Sequence, residues 1–253
     1  MKSFISFTKK EFIEMSRTYK LLIIGCVFLF LGMLNPLTAK LMPKLLSSLP
    51  AEGITINIPE PSALDSWTQF FKNVPQMGLI VIVIIFSGIM ANEYSKGTLI
   101  ILLTKGLKRE TVIISKFITS ISMWTLGYWL CAAISYVYTI YFWNDKVENL
   151  LFSMICLWVF GILLLSVVLL GGVLFKTNYG SMIFTGVFYV ILFLLGIPTK
   201  IKKYNPIMLS SSNMALINLE NKVSDFTIPL ILSVVLTIII VFVSIRIFNK
   251  KKL

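Results

Sequence analysis

The sequence predicts an all-α integral membrane fold with six transmembrane helices, on three observations. Of its 253 residues 57% are hydrophobic, and the mean hydropathy is +0.88. A soluble domain carrying that much apolar mass would expose greasy patches and aggregate. Several uncharged stretches of 17 residues or more have the length that crosses a hydrocarbon core about 30 Å thick. The 23 basic and 11 acidic residues gather between those stretches. Topology and lipid headgroups then account for a net charge of +12, and no nucleic-acid partner is required. The whole chain, 1–253, reads as a single transmembrane domain.

Residues 1–20 are expected to form an amphipathic interfacial helix. At 100° per residue Phe4, Ile5, Phe12, Met15 and Tyr19 share one face, and Lys9, Lys10, Glu14, Arg17 and Lys20 share the other, the pattern of a helix lying in the headgroup layer. Six spans follow, roughly Leu21–Leu37, Val74–Ala91, Phe117–Trp143, Leu150–Phe175, Ser181–Ile197 and Ile228–Phe248. Ile54–Pro61, with alternating isoleucines and two prolines, is expected to be extended. Ser62 and Asp65 have the spacing of a capping box and should open a short helix through Trp67 and Phe71. Tyr136, Tyr138, Tyr141, Phe142 and Trp143 crowd the end of the third span as an interfacial aromatic belt. Residues 198–227 are too polar to cross and are expected as an outer segment holding a short helix or hairpin. Gly161, Gly171 and Gly172 offer small faces for close helix packing.

Six spans bring both termini to one side. That side carries 15 of the 23 basic residues and 4 of the 11 acidic ones, so the positive-inside rule places both termini in the cytoplasm of a multi-pass plasma-membrane protein. Lys200, Lys202 and Lys203 run against this count without reversing it.

Absent residues narrow the function. Histidine, the commonest general base and metal ligand, does not occur. Cys26, Cys131 and Cys156 lie inside apolar spans and suggest neither a disulfide framework nor a zinc site. Ser87, Ser122 and Ser166 have no paired base and should instead bond carbonyls of their own helices. No span carries a charge at its centre, whereas ion-coupled transport needs ionisable groups at membrane depth. No GxxxxGKS or GxxxxGKT loop is present, so any energy from ATP must enter through another subunit. No catalytic residue, cofactor or metal is assigned to this chain.

One loop carries a pattern. Between the second and third spans the chain runs from Glu93 through Gly97 and Thr98, then Leu99, Ile100, Ile101, Leu102, Leu103 and Thr104, to Arg109 and Lys116. Gly97 permits a sharp turn. The apolar run is too short to cross a membrane and too apolar for open water, so it needs a partner surface: the lipid interface, the N-terminal helix or a groove on another subunit. This resembles the signature of type-2 ABC exporter permeases, six-helix membrane subunits grouped with bacterial polysaccharide and drug exporters. Glu93, Gly97, Thr98, Thr104, Arg109 and Lys116 match it in order and spacing. The N-terminal helix, the six spans and the outer segment extend the resemblance over essentially the whole chain. One departure is Lys105-Gly106, where many members have proline soon after the threonine; either choice ends a helix.

The resemblance implies a permease subunit of an ATP-driven exporter. Two ABC ATPase subunits, carrying ATP and magnesium, would dock beneath it, and a second permease copy or a related permease would complete the pathway. Residues 93–116 would be the coupling loop, with Leu102 and Leu103 seated in the ATPase. Uncharged spans suit a hydrophobic or amphipathic cargo such as a lipid, drug or antimicrobial peptide. The rival readings are a non-transporting scaffold or sensor subunit and a stand-alone sodium-coupled transporter.

Overall fold

A computed structural model describes residues 2–47, 60–95, 97–104 and 106–251. The described residues form helices joined by short turns, with no strand among them. Six helical spans are long and apolar enough to cross a membrane: Lys20–Pro43, Ala63–Ser95, Arg109–Phe142, Leu150–Phe175, Asn178–Leu195 and Val223–Lys250. Most of the extended expectation at 54–61, like Ser48, Lys96 and Lys105, lies outside the described residues.

Helix α1 (Lys2–Arg17) and helix α2 (Lys20–Ser47) are separated at Tyr19, whose φ of 58° is left-handed. That conformation breaks the hydrogen-bond ladder and turns α1 away from the axis of α2. The interfacial face read from the sequence needs correction here. Phe7, Glu11 and Met15 form the buried face, while Ile5 and Tyr19 point outward. The helix is turned so that Glu11 enters the bundle, because a buried cation waits for it there.

The second span is longer than Val74–Ala91. Helix α3 (Ala63–Asn73) begins where Ser62 N–H donates to Asp65 Oδ2 at 2.8 Å, the expected cap. It runs through a π-helical turn, Val74–Gly78, into helix α4 (Leu79–Ser95). Pro75 lacks an N–H and crowds the preceding turn. The ladder widens there, and Leu79 N–H donates to Val74 O. Helix α5 (Thr98–Thr104) is the short cytoplasmic-loop helix read from the apolar run, and helix α6 (Arg109–Phe142) is the third span.

Helix α7 (Leu150–Phe175) is the hub of the bundle and packs on α4, on α6, on helix α8 (Asn178–Leu195) and on helix α12 (Val223–Lys250). A Cβ at Gly161 would fall 2.4 Å from the Trp124 ring, and one at Gly172 would meet Met90 at 3.0 Å. These glycines are required by close helix approach, as the sequence suggested. Polar stitches reinforce the packing. Trp124 Nε1 donates to Trp158 O at 3.0 Å, Tyr128 Oη to Met154 O at 2.8 Å and Ser181 Oγ to Val168 O at 2.7 Å. Buried Asn35 accepts from Asn73 Nδ2 at 2.9 Å, and Ser135 Oγ donates to Gly32 O at 3.0 Å. Ser87, Ser122 and Ser166 each bond a carbonyl in their own helix. The three cysteines are free thiols.

The segment between α8 and α12 takes the short-helix form of the two expected for it. Short helices α9 (Thr199–Lys202), α10 (Met208–Ser211) and α11 (Asn213–Ile217) fold back so that Ile207, Met208, Leu209, Leu216 and Ile217 join the core. Asn205 makes this possible by donating to Leu192 O at 2.6 Å and accepting from Ile207 N–H at 3.0 Å. The buried N–H of Ile207 is thereby satisfied inside the bundle, and Leu192 O, which also accepts from Gly196 N–H at 3.0 Å, gains a second donor.

Candidate functional site

The end of the bundle holding both termini contains a buried charge network. Lys116, on α6, is 2% exposed; its Nζ lies 2.9 Å from Glu11 Oε2 and 3.1 Å from Glu93 Oε1. Lys10 reaches Glu93 Oε1 at 2.9 Å, Glu11 Oε1 at 3.1 Å and Glu14 Oε2 at 2.6 Å. The network ties α1 to the ends of the second and third spans. Burial alone would lower the pKa of Lys10, but its hydrogen bond to Glu14 and the charges of Glu11 and Glu93 outweigh that and hold it above the ordinary lysine range. The carboxylates of Glu11, Glu14 and Glu93 lie within 4.8 Å of one another. Two ammonium groups already occupy the space between them, so the arrangement is an ion-pair latch, and no metal is assigned to it.

The loop leaves this latch directly. Thr98 Oγ1 donates to Glu93 Oε2 across the turn. Gly97 has φ +65° and Gly106 φ +86°. Nothing lies within 4 Å of the position a Cβ would take at either, so the demand for glycine is conformational. Helix α5 thus begins and ends at left-handed glycines.

The apolar run divides. Leu99 is buried. Leu102 is half-buried, facing α1 across a groove of about 320 Å³ lined by Ser3, Ser6, Phe7, Lys10 and Leu107. Leu103 is half-buried, and Ile101 is 56% exposed. The face α5 turns outward is therefore centred on Ile101, and Leu102 is largely engaged by its own chain. Thr104 Oγ1 donates to Ile101 O at 3.0 Å. Arg109 stands apart from the latch and caps the last helix, donating to Phe248 O and Lys251 O at 2.7 Å each.

The geometry thus joins Glu93, Thr98 and Lys116 and leaves Thr104 and Arg109 outside. It adds Glu11 and Lys10, which the loop pattern did not include. Glu11 had a detectable signal: it stands four residues from both Phe7 and Met15, an acid on an otherwise apolar helical face. Away from the latch, a groove of about 560 Å³ runs between the second and fifth spans, lined by Leu79, Val83, Leu164, Met182 and Tyr189, with Gln76 of the π-helical turn at its side.

Six membrane-crossing helices locked at one end by a latch, from which a short loop helix projects, define a multi-pass membrane protein. Residues 66–249 match the family model described as ABC-2 family transporter protein, and the chain belongs to that family. It is also similar to an uncharacterized transmembrane protein, YxlG, of Bacillus subtilis strain 168, with 23% identity over 121 residues. That alignment covers 47% of this chain and 46% of the relative, so the chain spans about half the length of the curated relative it matches.

Proposed function

We propose that this chain is the permease of an ATP-driven exporter and that the segment 93–116 couples it to an ABC ATPase. The observation that carries this reading is the latch. An element that transmits force must be held rigidly at its root, and α5 springs from Glu93, which is buried and paired to two lysines. Its exposed residue, Ile101, sits one helical turn beyond the Gly97 bend. A stiff base, a bend and an apolar tip make a fitting for a groove on another protein. ATP and magnesium belong to that partner, present in two copies. A second permease copy, or a related one, completes the pathway. The basic excess at this end supports a cytoplasmic location for both termini. The apolar groove between the second and fifth spans supports a hydrophobic or amphipathic cargo, a peptide, lipid or drug, moved outward.

The test is co-purification of the ATPase with Ile101→Asp, followed by transport and ATPase assays in liposomes. Loss of an apolar contact worth about 2 kcal/mol, with a charge placed against the partner, should weaken assembly at least thirtyfold while the spans still insert. Glu93→Gln should assemble yet transport poorly for each ATP hydrolysed. Normal assembly and transport by Ile101→Asp would remove α5 from the interface and leave the reading without its main support.

A further inference from the structure

A second charged grouping occupies the same end of the bundle and takes no part in the latch. Four spans meet there. Tyr94 stands one residue before the end of α4, Arg109 opens α6, Lys176 follows α7 and Lys251 follows α12. Lys176 Nζ lies 5.4 Å and Lys251 Nζ 5.5 Å from the centre of the Tyr94 ring. The Arg109 guanidinium carbon is 5.7 Å from the Phe248 ring, which meets Tyr94 edge-on at 6.4 Å. Among the described residues none of these three cations has a carboxylate within 4 Å. The Tyr94 hydroxyl is sealed from solvent and lacks a hydrogen-bond partner among the described residues.

Helix capping explains part of this grouping. Lys251 Nζ donates to Val173 O and Leu174 O, and Arg109 donates to the end of α12. Capping does not exhaust the charge. The C-terminal ends of α4, α7 and α12 supply roughly half a negative elementary charge each, while the N-terminal ends of α6 and α8 return roughly half a positive one each, so the three cations stay in excess. Lys176 has no capping role for its side chain. Its φ of 57° places a lysine at the left-handed position after a helix, where glycine is the ordinary choice. Burial, and then the like charge of Lys176, lower the pKa of Lys251, the behaviour of a cation short of counter-charge.

We propose that Lys176, Lys251 and Arg109 bind the phosphodiester of an anionic lipid headgroup. The shared chemistry is a phosphate monoanion, and the surroundings favour a lipid as its source. The cations stand at the ends of membrane-crossing helices. Leu174, Phe175 and Tyr179, which flank Lys176, are exposed at 38%, 52% and 80% and give acyl chains an apolar wall. Basic pockets between helices at this depth are suited to anionic headgroups. This inference depends only on the chain lying in a membrane and stands apart from the transport reading.

The test is native mass spectrometry of the purified full chain, titrated with phosphatidylglycerol or phosphatidylcholine. Phosphatidylglycerol should be retained in preference. Lys176→Gln should lower its affinity about fivefold, and Lys176→Gln with Lys251→Gln about twenty-fivefold. Lys146→Gln, exposed at the opposite end, should leave it unchanged. Lys176 is exposed and its side chain caps no helix, so its variant should keep the wild-type melting temperature. Equal retention of the two lipids, or an equal loss in Lys146→Gln, would reduce the cluster to general surface charge. Displacement of phosphatidylglycerol by millimolar inorganic phosphate would assign it to a free anion. Unchanged lipid binding in the double variant with loss of ATPase co-purification would assign it to a protein carboxylate. Each of these three results overturns the lipid site.

Discussion

Replacing Lys116 with methionine should release α1 from the bundle. The substitution keeps the length of the side chain and removes its charge, leaving Glu11 and Glu93 buried at 1% and 4% exposure. Each contact of Lys116, at 2.9 and 3.1 Å, is worth on the order of 5 kcal/mol at an effective dielectric constant of 20, before the desolvation of three ions is subtracted. Removing one partner of a buried ion pair costs about 3–5 kcal/mol. Lys10 also touches both carboxylates, so the lower figure applies. About 3 kcal/mol corresponds to roughly a hundredfold rise in the open population of α1. Trypsin cleavage at Lys9 and Arg17, measured on protein in detergent, reads that population directly. Combining Lys116→Met with Glu11→Gln removes one of the two stranded charges, leaves Glu93 to Lys10, and should restore part of the protection, with a coupling energy of about 2 kcal/mol in the double-mutant cycle. Wild-type protease resistance and melting temperature in Lys116→Met alone would show that the network holds nothing together.

Three further outcomes are expected. Gly161→Ala drives a methyl to 2.4 Å from the Trp124 ring and should destabilise the chain by about 1–3 kcal/mol; an unchanged melting temperature would contradict the close packing of α6 on α7. Gly97 needs a left-handed backbone and has free space around it. Gly97→Asn should therefore retain more transport than Gly97→Val, and equal activities would mean that the bend is dispensable. In a chain without the native cysteines, an impermeant thiol reagent on intact cells should label Glu220→Cys and spare Glu110→Cys, both positions being exposed; the reverse pattern would invert the topology.

Hydropathy and spacing made the spans legible, because a bilayer selects length and apolarity and both are local properties. The Ser62–Asp65 cap and the two turns at Gly97 and Gly106 were legible for the same reason: each is settled within four residues. What remained hidden depends on partners distant in sequence. Asn205 holds α10 and α11 inside the bundle through Leu192 O, and nothing near Asn205 announces that. Glu11 meets Lys116 across 105 positions, so the amphipathic pattern of α1 was read without the residue that orients it. The need of Leu102 for a partner surface was legible, but which surface it meets first, the groove beside α1, was not. The short helix through Phe71 and the span from Val74 were read as separate, yet they run together because a π-helical turn absorbs the donor that Pro75 lacks.

The 105-residue separation of Glu11 and Lys116 also fixes an order in time. At a synthesis rate of about 5–20 residues per second, Glu11 leaves the ribosome roughly 5–20 s before its partner exists. Throughout that interval α1 has no buried counter-charge and stays in contact with water, while the first and second spans enter the bilayer without it. It can seat only after Lys116 has arrived and the third span is in place. Helix α1 is thus made before the spans it docks on and is among the last elements to seat. Protease protection at Lys9 and Arg17 in stalled nascent chains should accordingly appear only once the third span has left the ribosome.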